Sequence, residues 1–189
     1  MSEINRTGIN FSEYEMIFNK SEDVTIYHLK KPNTFIGNIK FINTNEILAV
    51  TGDYGNWIFC REFHPSHDGM VSSGYWKEKL INKSSQEPSE FDEEGTREDI
   101  NELLAEEEDL TDQEKEYLNG CLEKVGYDEL DYIYFAHREN CGRFQDHQSV
   151  PHRKKTKYWL EAVFDGFEEM CKRMKVEHEK NKIDLKYEL

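Results

Sequence analysis

Two groups of histidine and cysteine residues carry side chains that zinc accepts as ligands. The first group contains Cys60, His64 and His67, and the second lies between residues 137 and 152. A metal site built from both groups would draw on His64, His67, His137, Cys141 and His152. Neither group has the ligand spacing of a standard zinc finger, and ordinary loop histidines are the competing interpretation. We therefore expect no metal and no other cofactor, and this site is kept as the alternative.

Cys141 is the cysteine whose neighbours could activate it as a nucleophile. Arg138 and Arg143 flank it, and nearby cations lower the pKa of a thiol, while His137 and His147 could act as bases. No signature of a cysteine-dependent enzyme surrounds it. Carboxylate pairs for acid–base catalysis cannot be singled out, because acidic residues are so frequent here that pairs are expected by chance. The sequence favours a protein that is not an enzyme, with a small metal- or nucleotide-binding protein or enzyme as the alternative.

A glycine-rich loop with the sequence GDYG occupies residues 52–55. It lacks the lysine of a P-loop, and a strand is predicted after it where a dinucleotide-binding fingerprint requires a helix. Residues of these types tolerate the backbone angles of tight turns. We therefore predict that the loop connects the two strands of a β-hairpin.

Charge is distributed very unevenly along the chain. Residues 86–116 contain fifteen Asp or Glu against two Lys or Arg, whereas the other 158 residues of a chain with net charge −15 sum to −2. Such a segment is repelled by nucleic acid and membrane surfaces and attracted by basic protein grooves. A solvated face or a flexible linker is the alternative interpretation. Carboxylates held at fixed spacing on ordered helices could imitate the phosphates of a nucleic-acid backbone.

We predict that this acidic segment binds the basic surface of a nucleic-acid-handling enzyme and blocks it sterically, as a nucleic-acid mimic. The predicted contact residues are Glu93, Glu94, Glu98, Glu102, Glu106, Glu107 and Asp109. No direct contact with nucleic acid or with a membrane is expected. The basic residues 137–157 could contact a small anion or nucleic acid, but pairing with the acidic helices is the favoured interpretation. That pairing would lie within one chain or between the subunits of a homo-oligomer.

The first third of the chain is predicted to form β-structure. Strands rich in β-branched and aromatic residues are predicted at residues 24–30, 35–42, 46–51 and 56–63. Phe35, Gly37, Ile39 and Phe41 alternate in the second of these strands and are expected to share one face. Residues 11–19 form either a short helix or an extra edge strand, and residues 75–80 form a short helical turn or an irregular segment. The short connections favour an antiparallel meander of four to five strands.

Two helices are predicted in the acidic middle of the chain. Thr96 begins a sequence that is similar to a capping box, and a helix is expected from there to about Glu108. Thr111 begins a complete capping box, and the second helix is expected to end at Gly126. Residues 131–135, with the sequence DYIYF, are predicted to form a strand.

The strongest predicted helix begins near Lys155 and continues to about His178. An apolar stripe runs along it, formed by Trp159, Ala162, Val163, Gly166, Phe167, Met170, Cys171 and Met174. We expect this stripe to pack across the sheet and to supply much of the core.

These elements predict a single α+β domain over residues 1–189. Residues 1–83 are mainly β, residues 84–126 form an acidic two-helix insertion, and residues 127–189 supply a strand and the long C-terminal helix that packs on the meander. No apolar run approaches the ~18 residues of a membrane span, and the N-terminal residues lack the features of a signal peptide. A cytoplasmic location and four free cysteines are therefore expected.

Residues 50–59 (VTGDYGNWIF) combine a strand, a Gly-Asp-x-Gly turn and an aromatic-aliphatic-Phe strand. A Gly-Tyr-Trp-Lys sequence follows at residues 74–77, and the C-terminal helix carries Trp159. This pattern resembles uncharacterised proteins of bacteriophages and prophages. The resemblance implies a phage origin and brings no activity or site residues with it. Together with the acidic segment, it predicts a phage-encoded anti-defence inhibitor in the host cytoplasm, directed at a CRISPR effector (an anti-CRISPR role) or another defence nuclease.

Overall fold

The computed structural model describes residues 6–66, 71–82, 88–107, 109–139, 142–144 and 150–187. The chain divides into two compact units. Unit 1 comprises Met1–Pro88 and Thr156–Leu189, and unit 2 comprises Ser89–Lys155.

The helices and strands of both units are as follows. The helices are α1 (Ser73–Lys79), α2 (Glu93–Glu106), α3 (Asp112–Val125), α4 (Glu129–Arg138) and α5 (Tyr158–Tyr187). The strands are β1 (Glu15–Lys20), β2 (Val24–Lys30), β3 (Asn38–Thr44), β4 (Ile47–Gly52), β5 (Trp57–Phe59), β6 (Leu80–Asn82), β7 (Ser89–Phe91) and β8 (Lys154–Thr156). Strands β7 and β8 pair with each other where the chain enters and leaves unit 2.

A six-stranded antiparallel sheet forms the β-structure of unit 1, with its strands in the order β1 to β6. Directly opposite residues such as Tyr27, Phe41 and Val50 bring apolar side chains together on one face. The predicted antiparallel meander is confirmed, but the prediction of four to five strands is wrong. Residues 15–20 form the edge strand β1, which was one of the two alternatives. Strand β6, which directly follows α1, pairs with β5 and was not predicted.

Helix α5 packs on the buried face of the sheet and completes the core of unit 1. The rings of Phe41 and Phe167 lie 5.8 Å apart between their centroids. A Cβ at Gly166 would lie 3.1 Å from the side chain of Ile39, so helix and sheet approach closely there. The predicted apolar stripe is confirmed except at Trp159, which is 44 % exposed. No helix in the described ranges has the length and apolar character needed to cross a membrane.

The prediction that a strand begins at Phe35 is wrong. Phe35 is 100 % exposed in the loop before β3, which begins only at Asn38. Gly37 has a φ of 84°, a left-handed conformation that interrupts the strand pattern between Phe35 and Ile39. Ile39 and Phe41 share one face of β3, as predicted, and both are buried.

The loop at residues 52–55 is a hairpin turn between β4 and β5, as predicted. Gly52 has a φ of 136°, and a Cβ there would lie 2.1 Å from the carbonyl oxygen of Asn38, so only glycine fits. The carboxylate of Asp53 accepts a hydrogen bond from the backbone N–H of Asn38 at 2.7 Å. The turn is therefore locked to the neighbouring strand by its own residues.

Among its described residues, unit 2 contains the helices α2, α3 and α4, which share an apolar core. The capping box at Thr111 and the helix end at Gly126 are confirmed. The prediction of a strand at residues 131–135 is wrong, because these residues lie in α4, whose N-terminus is capped by the side chain of Asp128. The predicted two-helix insertion is therefore not confirmed.

The predicted start of the first acidic helix at Thr96 is also wrong. Helix α2 begins at Glu93, because the carboxylate of Asp92 accepts the N–H of Gly95 and provides an earlier cap. Thr96 is fully buried inside the helix.

Candidate protein-binding surface

The predicted contact residues Glu94, Glu98, Glu102 and Glu106 lie four residues apart along α2. Because an α-helix has 3.6 residues per turn, this spacing places them on one side of α2, at intervals of about 6 Å along its axis. All four are exposed. We name these four residues the acidic row.

The opposite side of α2 is fixed to the core of unit 2. Ile100 is fully buried, and the hydroxyl of Thr96 accepts a hydrogen bond from the backbone N–H of Arg153 at 3.0 Å. Asp92 caps the helix through the N–H of Gly95 at 3.2 Å. The acidic row is therefore displayed on an ordered helix whose orientation within unit 2 is set by its buried side.

The other three predicted contact residues are paired with arginines of unit 2. The carboxylate of Glu93 lies 3.4 Å from the guanidinium of Arg97. The carboxylates of Glu107 and Asp109 each lie 3.0 Å from the guanidinium of Arg143. These three residues are therefore less available to a partner than the acidic row.

Arg143 is the centre of a group that we name the Arg143 cluster, together with Glu107, Asp109 and Glu114. Its backbone N–H donates to Glu114 at 2.9 Å, and its Nε lies 3.5 Å from the same oxygen. The second oxygen of Glu114 accepts the N–H and the hydroxyl of Thr111 at 2.9 and 2.8 Å. The backbone hydrogen bonds from Arg143 and Thr111 lower the pKa of Glu114 to about 2. The hydrogen bond from Arg143 likewise lowers the pKa of Asp109.

Two further basic residues of the 137–157 segment also contact carboxylates of unit 2. Arg153 pairs with Asp99, and the Nζ of Lys154 lies 3.3 Å from the carboxylate of Glu129. The favoured interpretation of this segment, pairing with the acidic helices within one chain, is therefore confirmed for Arg143 and Arg153. Since these pairs are solvent-exposed, each stabilises unit 2 by only about 0–1 kcal/mol.

The acidic row differs from these paired carboxylates. In the part of the chain that the structure describes, no ion pair joins any of its four carboxylates to a cation, whereas Glu93 and Asp99 of the same helix are paired. Like charges four residues apart destabilise a helix by roughly 0.2–0.5 kcal/mol per pair. Glu106 also lies in the last turn of α2, which contains no basic residue, and the helix dipole disfavours a negative charge there. Glu94 lies in the first turn, where the same dipole favours it, so the two end effects oppose each other. The repulsion within the row is what a cationic partner would relieve.

The predicted metal ligands fall into two sets: His64, His137 and His152 are described by the structure, and His67 and Cys141 lie outside the described residues. The Nδ1 of His64 lies 3.2 Å from the hydroxyl of Tyr27. The Nε2 of His152 lies 3.0 Å from the carboxylate of Glu129. Within the described ranges, no three His, Cys, Asp or Glu side chains are grouped so that they could hold a metal ion.

The cysteines that the structure describes are Cys60, Cys121 and Cys171, and no disulfide joins any two of them. Cys121 and Cys171 are buried in helices, whereas Cys60 is exposed. Burial raises the pKa of Cys171, which is opposite to the activation that a nucleophile needs. The predicted nucleophile, Cys141, lies outside the described residues.

Sequence reasoning missed the division of the carboxylates into paired and unpaired sets. The spacing of the acidic row by four residues is visible in the sequence and could have separated it from Glu93 and Glu107. The contact between Arg143 and Glu114 joins residues 29 positions apart, so no local sequence pattern predicts it.

Comparisons of this chain with protein-family models, with curated proteins and with solved structures gave no match.

Proposed function

We propose that this protein is a non-enzymatic inhibitor that binds the basic groove of a nucleic-acid-handling enzyme through the acidic row. The observation that carries the proposal is the exposure of four carboxylates on one side of an ordered helix without cationic partners in the described residues. A basic groove supplies the positive charge that these side chains lack. Inhibition follows by steric occlusion, because the groove cannot hold α2 and nucleic acid together.

The charge of unit 2 supports the same class of partner. Unit 2 contains twenty Asp and Glu against eight Lys and Arg, so it carries −12 of the net charge of −15. Complementary potentials accelerate encounter and disfavour wrong partners. Because exposed charges are screened over about 8 Å at physiological ionic strength, binding through the acidic row is salt-sensitive.

The spacing of the acidic row bears on how closely it imitates nucleic acid. The row presents one charge per about 6 Å of helix axis, whereas each strand of duplex DNA presents one per about 3.4 Å. The row therefore matches roughly every second phosphate of a strand. A competitor of this kind occupies only part of a phosphate-binding groove and is displaced by excess duplex DNA.

The target class is proposed from the resemblance of residues 50–59 and 74–77 to phage and prophage proteins. A phage-encoded protein that occludes a nucleic-acid groove in the host cytoplasm acts most usefully on a defence nuclease, such as a CRISPR effector. Such nucleases hold nucleic acid in positively charged channels.

Two variants of equal charge separate the acidic row from net charge. The row variant carries E94Q, E98Q, E102Q and E106Q. The control variant carries E15Q, E22Q, D23N and E46Q, which remove four exposed carboxylates of unit 1. Tagged wild type and both variants are used to capture proteins from a bacterial lysate at low salt. Each column is eluted with short duplex DNA, and the eluate is identified by mass spectrometry.

We expect the wild type and the control variant to retain a nucleic-acid-handling enzyme that duplex DNA releases, and the row variant to lose it. The proposal fails if the row variant retains the same enzyme in the same amount. It also fails if duplex DNA does not displace the captured enzyme, since binding outside the groove would then remain the explanation.

A further inference from the structure

The outer face of α4 exposes large apolar side chains in an otherwise acidic unit. Leu130 is 77 % exposed and Tyr134 is 64 % exposed, and they lie one turn apart on the same side of the helix. Tyr127, which is 72 % exposed, lies in the turn just before α4. Exposed large apolar groups that lie side by side, unlike single ones, mark interaction sites.

A groove accompanies these side chains. It has a volume of about 530 Å³, is open to solvent, and is lined by Leu130, Asp131, Ile133, Tyr134 and His137. A more enclosed cavity of about 250 Å³ adjoins it and shares Ile133 and His137 with it. The face is thus a shallow and open apolar surface on which the apolar side of a partner segment can lie.

The inner side of α4 is fixed, so its outer face is ordered before any partner arrives. Tyr132 is buried, and its hydroxyl donates to the carbonyl oxygen of Pro151. The ring of Phe135 stacks on that of Tyr117, with centroids 6.1 Å apart. Ala136 is buried as well. A pre-ordered surface loses little conformational entropy on binding, which favours affinity.

The charges around this face determine which partner fits it. Asp131 lines the groove, Asp128 caps the same end of α4, and unit 2 as a whole carries a net charge of −12. The guanidinium of Arg138 lies 5.9 Å from the ring centroid of Tyr134, at the opposite end of α4. An approaching segment therefore needs apolar groups for the groove and positive charge for the surface around it.

We propose that the outer face of α4 binds a basic amphipathic segment of the target protein, with the apolar side of that segment on Leu130 and Tyr134. This inference rests on the proposed function, since it gives the acidic unit an apolar anchor in addition to its electrostatic one. Aromatic side chains surrounded by polar groups are the usual hot spots of protein interfaces. The acidic row attracts the target, and the face of α4 holds it.

Two synthetic peptides of equal length and equal positive charge test this inference on the full-length protein. One places leucines and lysines at helical spacing so that one side is apolar, and the other replaces the leucines by serine and glycine. Binding of fluorescently labelled peptides is measured with the wild type, the row variant, the patch variant L130A/Y134A and the control F35A/I36A. The control removes two apolar side chains of unit 1 that are 100 % and 70 % exposed.

We expect the wild type and the control to bind the amphipathic peptide about tenfold or more tightly than the polar one. The patch variant should bind both peptides equally. The row variant should bind both more weakly, by a similar factor. Circular dichroism verifies that α4 is still folded in the patch variant, as the exposure of both side chains predicts.

The outcomes distinguish the inference from the proposed function. If the wild type does not prefer the amphipathic peptide, or the patch variant keeps the preference, the inference about α4 is overturned. If the row variant binds both peptides as tightly as the wild type, the proposed function fails instead. Sedimentation velocity adds one further outcome: a wild-type oligomer that becomes monomeric in the patch variant identifies a second copy as the occupant and overturns the inference.

Discussion

Unit 1 and unit 2 use their charged residues in different ways. In unit 1, nineteen Asp and Glu nearly balance sixteen Lys and Arg, and the partly buried Arg6 contacts the buried Asp165 and Glu168 at 2.7 and 2.6 Å. Unit 2 contains twenty acidic and only eight basic residues, and most of the carboxylates on α2 are exposed. The difference indicates that charge in unit 1 fastens the chain to α5, whereas the excess charge of unit 2 is available to a partner.

This contrast gives the two units different sensitivity to loss of a charge. A buried ion pair becomes strongly destabilising when one partner is removed, because the other stays buried and unpaired. An exposed pair contributes little to stability, because each charged group is solvated by water whether or not its partner is present. Each of the following predictions breaks or sharpens the contrast.

The largest effect is expected for R6A in unit 1. The side chains of Asp165 and Glu168 are 4 % and 10 % exposed, and R6A leaves both carboxylates without their shared cation. We expect a loss of roughly 3–5 kcal/mol in the free energy of unfolding, measured by urea denaturation. R138A, which removes a 66 % exposed arginine of unit 2, is the control and should change it by about 0–1 kcal/mol. Equal losses in the two variants would contradict the contrast.

The next effect is a pH dependence of unit 2 that comes from Glu114. Its pKa is lowered from its ordinary value of 4.5 to about 2, so the carboxylate stabilises the folded state fully above pH 4.5. This contribution is lost as the pH falls from 4.5 towards 2. E114Q should lower the urea midpoint at neutral pH and flatten its decline over that window. An identical decline in E114Q would place the acid sensitivity elsewhere.

A smaller effect of opposite sign is expected for the row variant. Replacing the acidic row by glutamine relieves like-charge repulsion between neighbours four residues apart, worth roughly 0.2–0.5 kcal/mol for each pair. The free energy of unfolding should therefore rise, while the control variant of unit 1 should show no comparable gain. The measurement is urea denaturation at low salt, followed by repetition at high salt, where the gain should shrink. A loss of stability would mean that the row has partners inside the protein.

The smallest effect is expected for F35A. Phe35 is fully exposed, so its truncation should change the free energy of unfolding by less than about 0.5 kcal/mol. F41A, six residues further along, removes a fully buried ring and should cost about 3–5 kcal/mol. Similar values for both would mean that Phe35 packs in the core.

The elements that the sequence predicts correctly are those whose signals are local. The capping box at Thr111 and the stop at Gly126 are contained within the helix that they delimit. The turn at residues 52–55 consists of residues that fit its backbone angles. Hydrophobic periodicity likewise identifies the buried side of α5 at Val163 and Phe167.

The wrong predictions come from competing local signals. Residues 131–135 are rich in aromatic residues typical of strands, but Asp128 caps a helix in which Leu130 and Tyr134 share a side. Phe35 fits the alternating pattern of β3, but the left-handed conformation of Gly37 means that β3 begins only after it, at Asn38.

The candidate site depends on contacts that sequence alone does not contain. All seven predicted carboxylates have the same side-chain chemistry, and only the positions of Arg97 and Arg143 separate the three paired ones from the acidic row. The row itself follows from helical spacing once the bounds of α2 are known.

The most direct test of the central claim is the salt dependence of association between this protein and the enzyme that it captures. Association rates are measured over a series of ionic strengths for the wild type, the row variant and the unit 1 control variant. We predict a steep decline of the rate with salt for the wild type and the control, and a much shallower one for the row variant. Three parallel declines would contradict the account, because the acidic row would then contribute no more than any other four carboxylates.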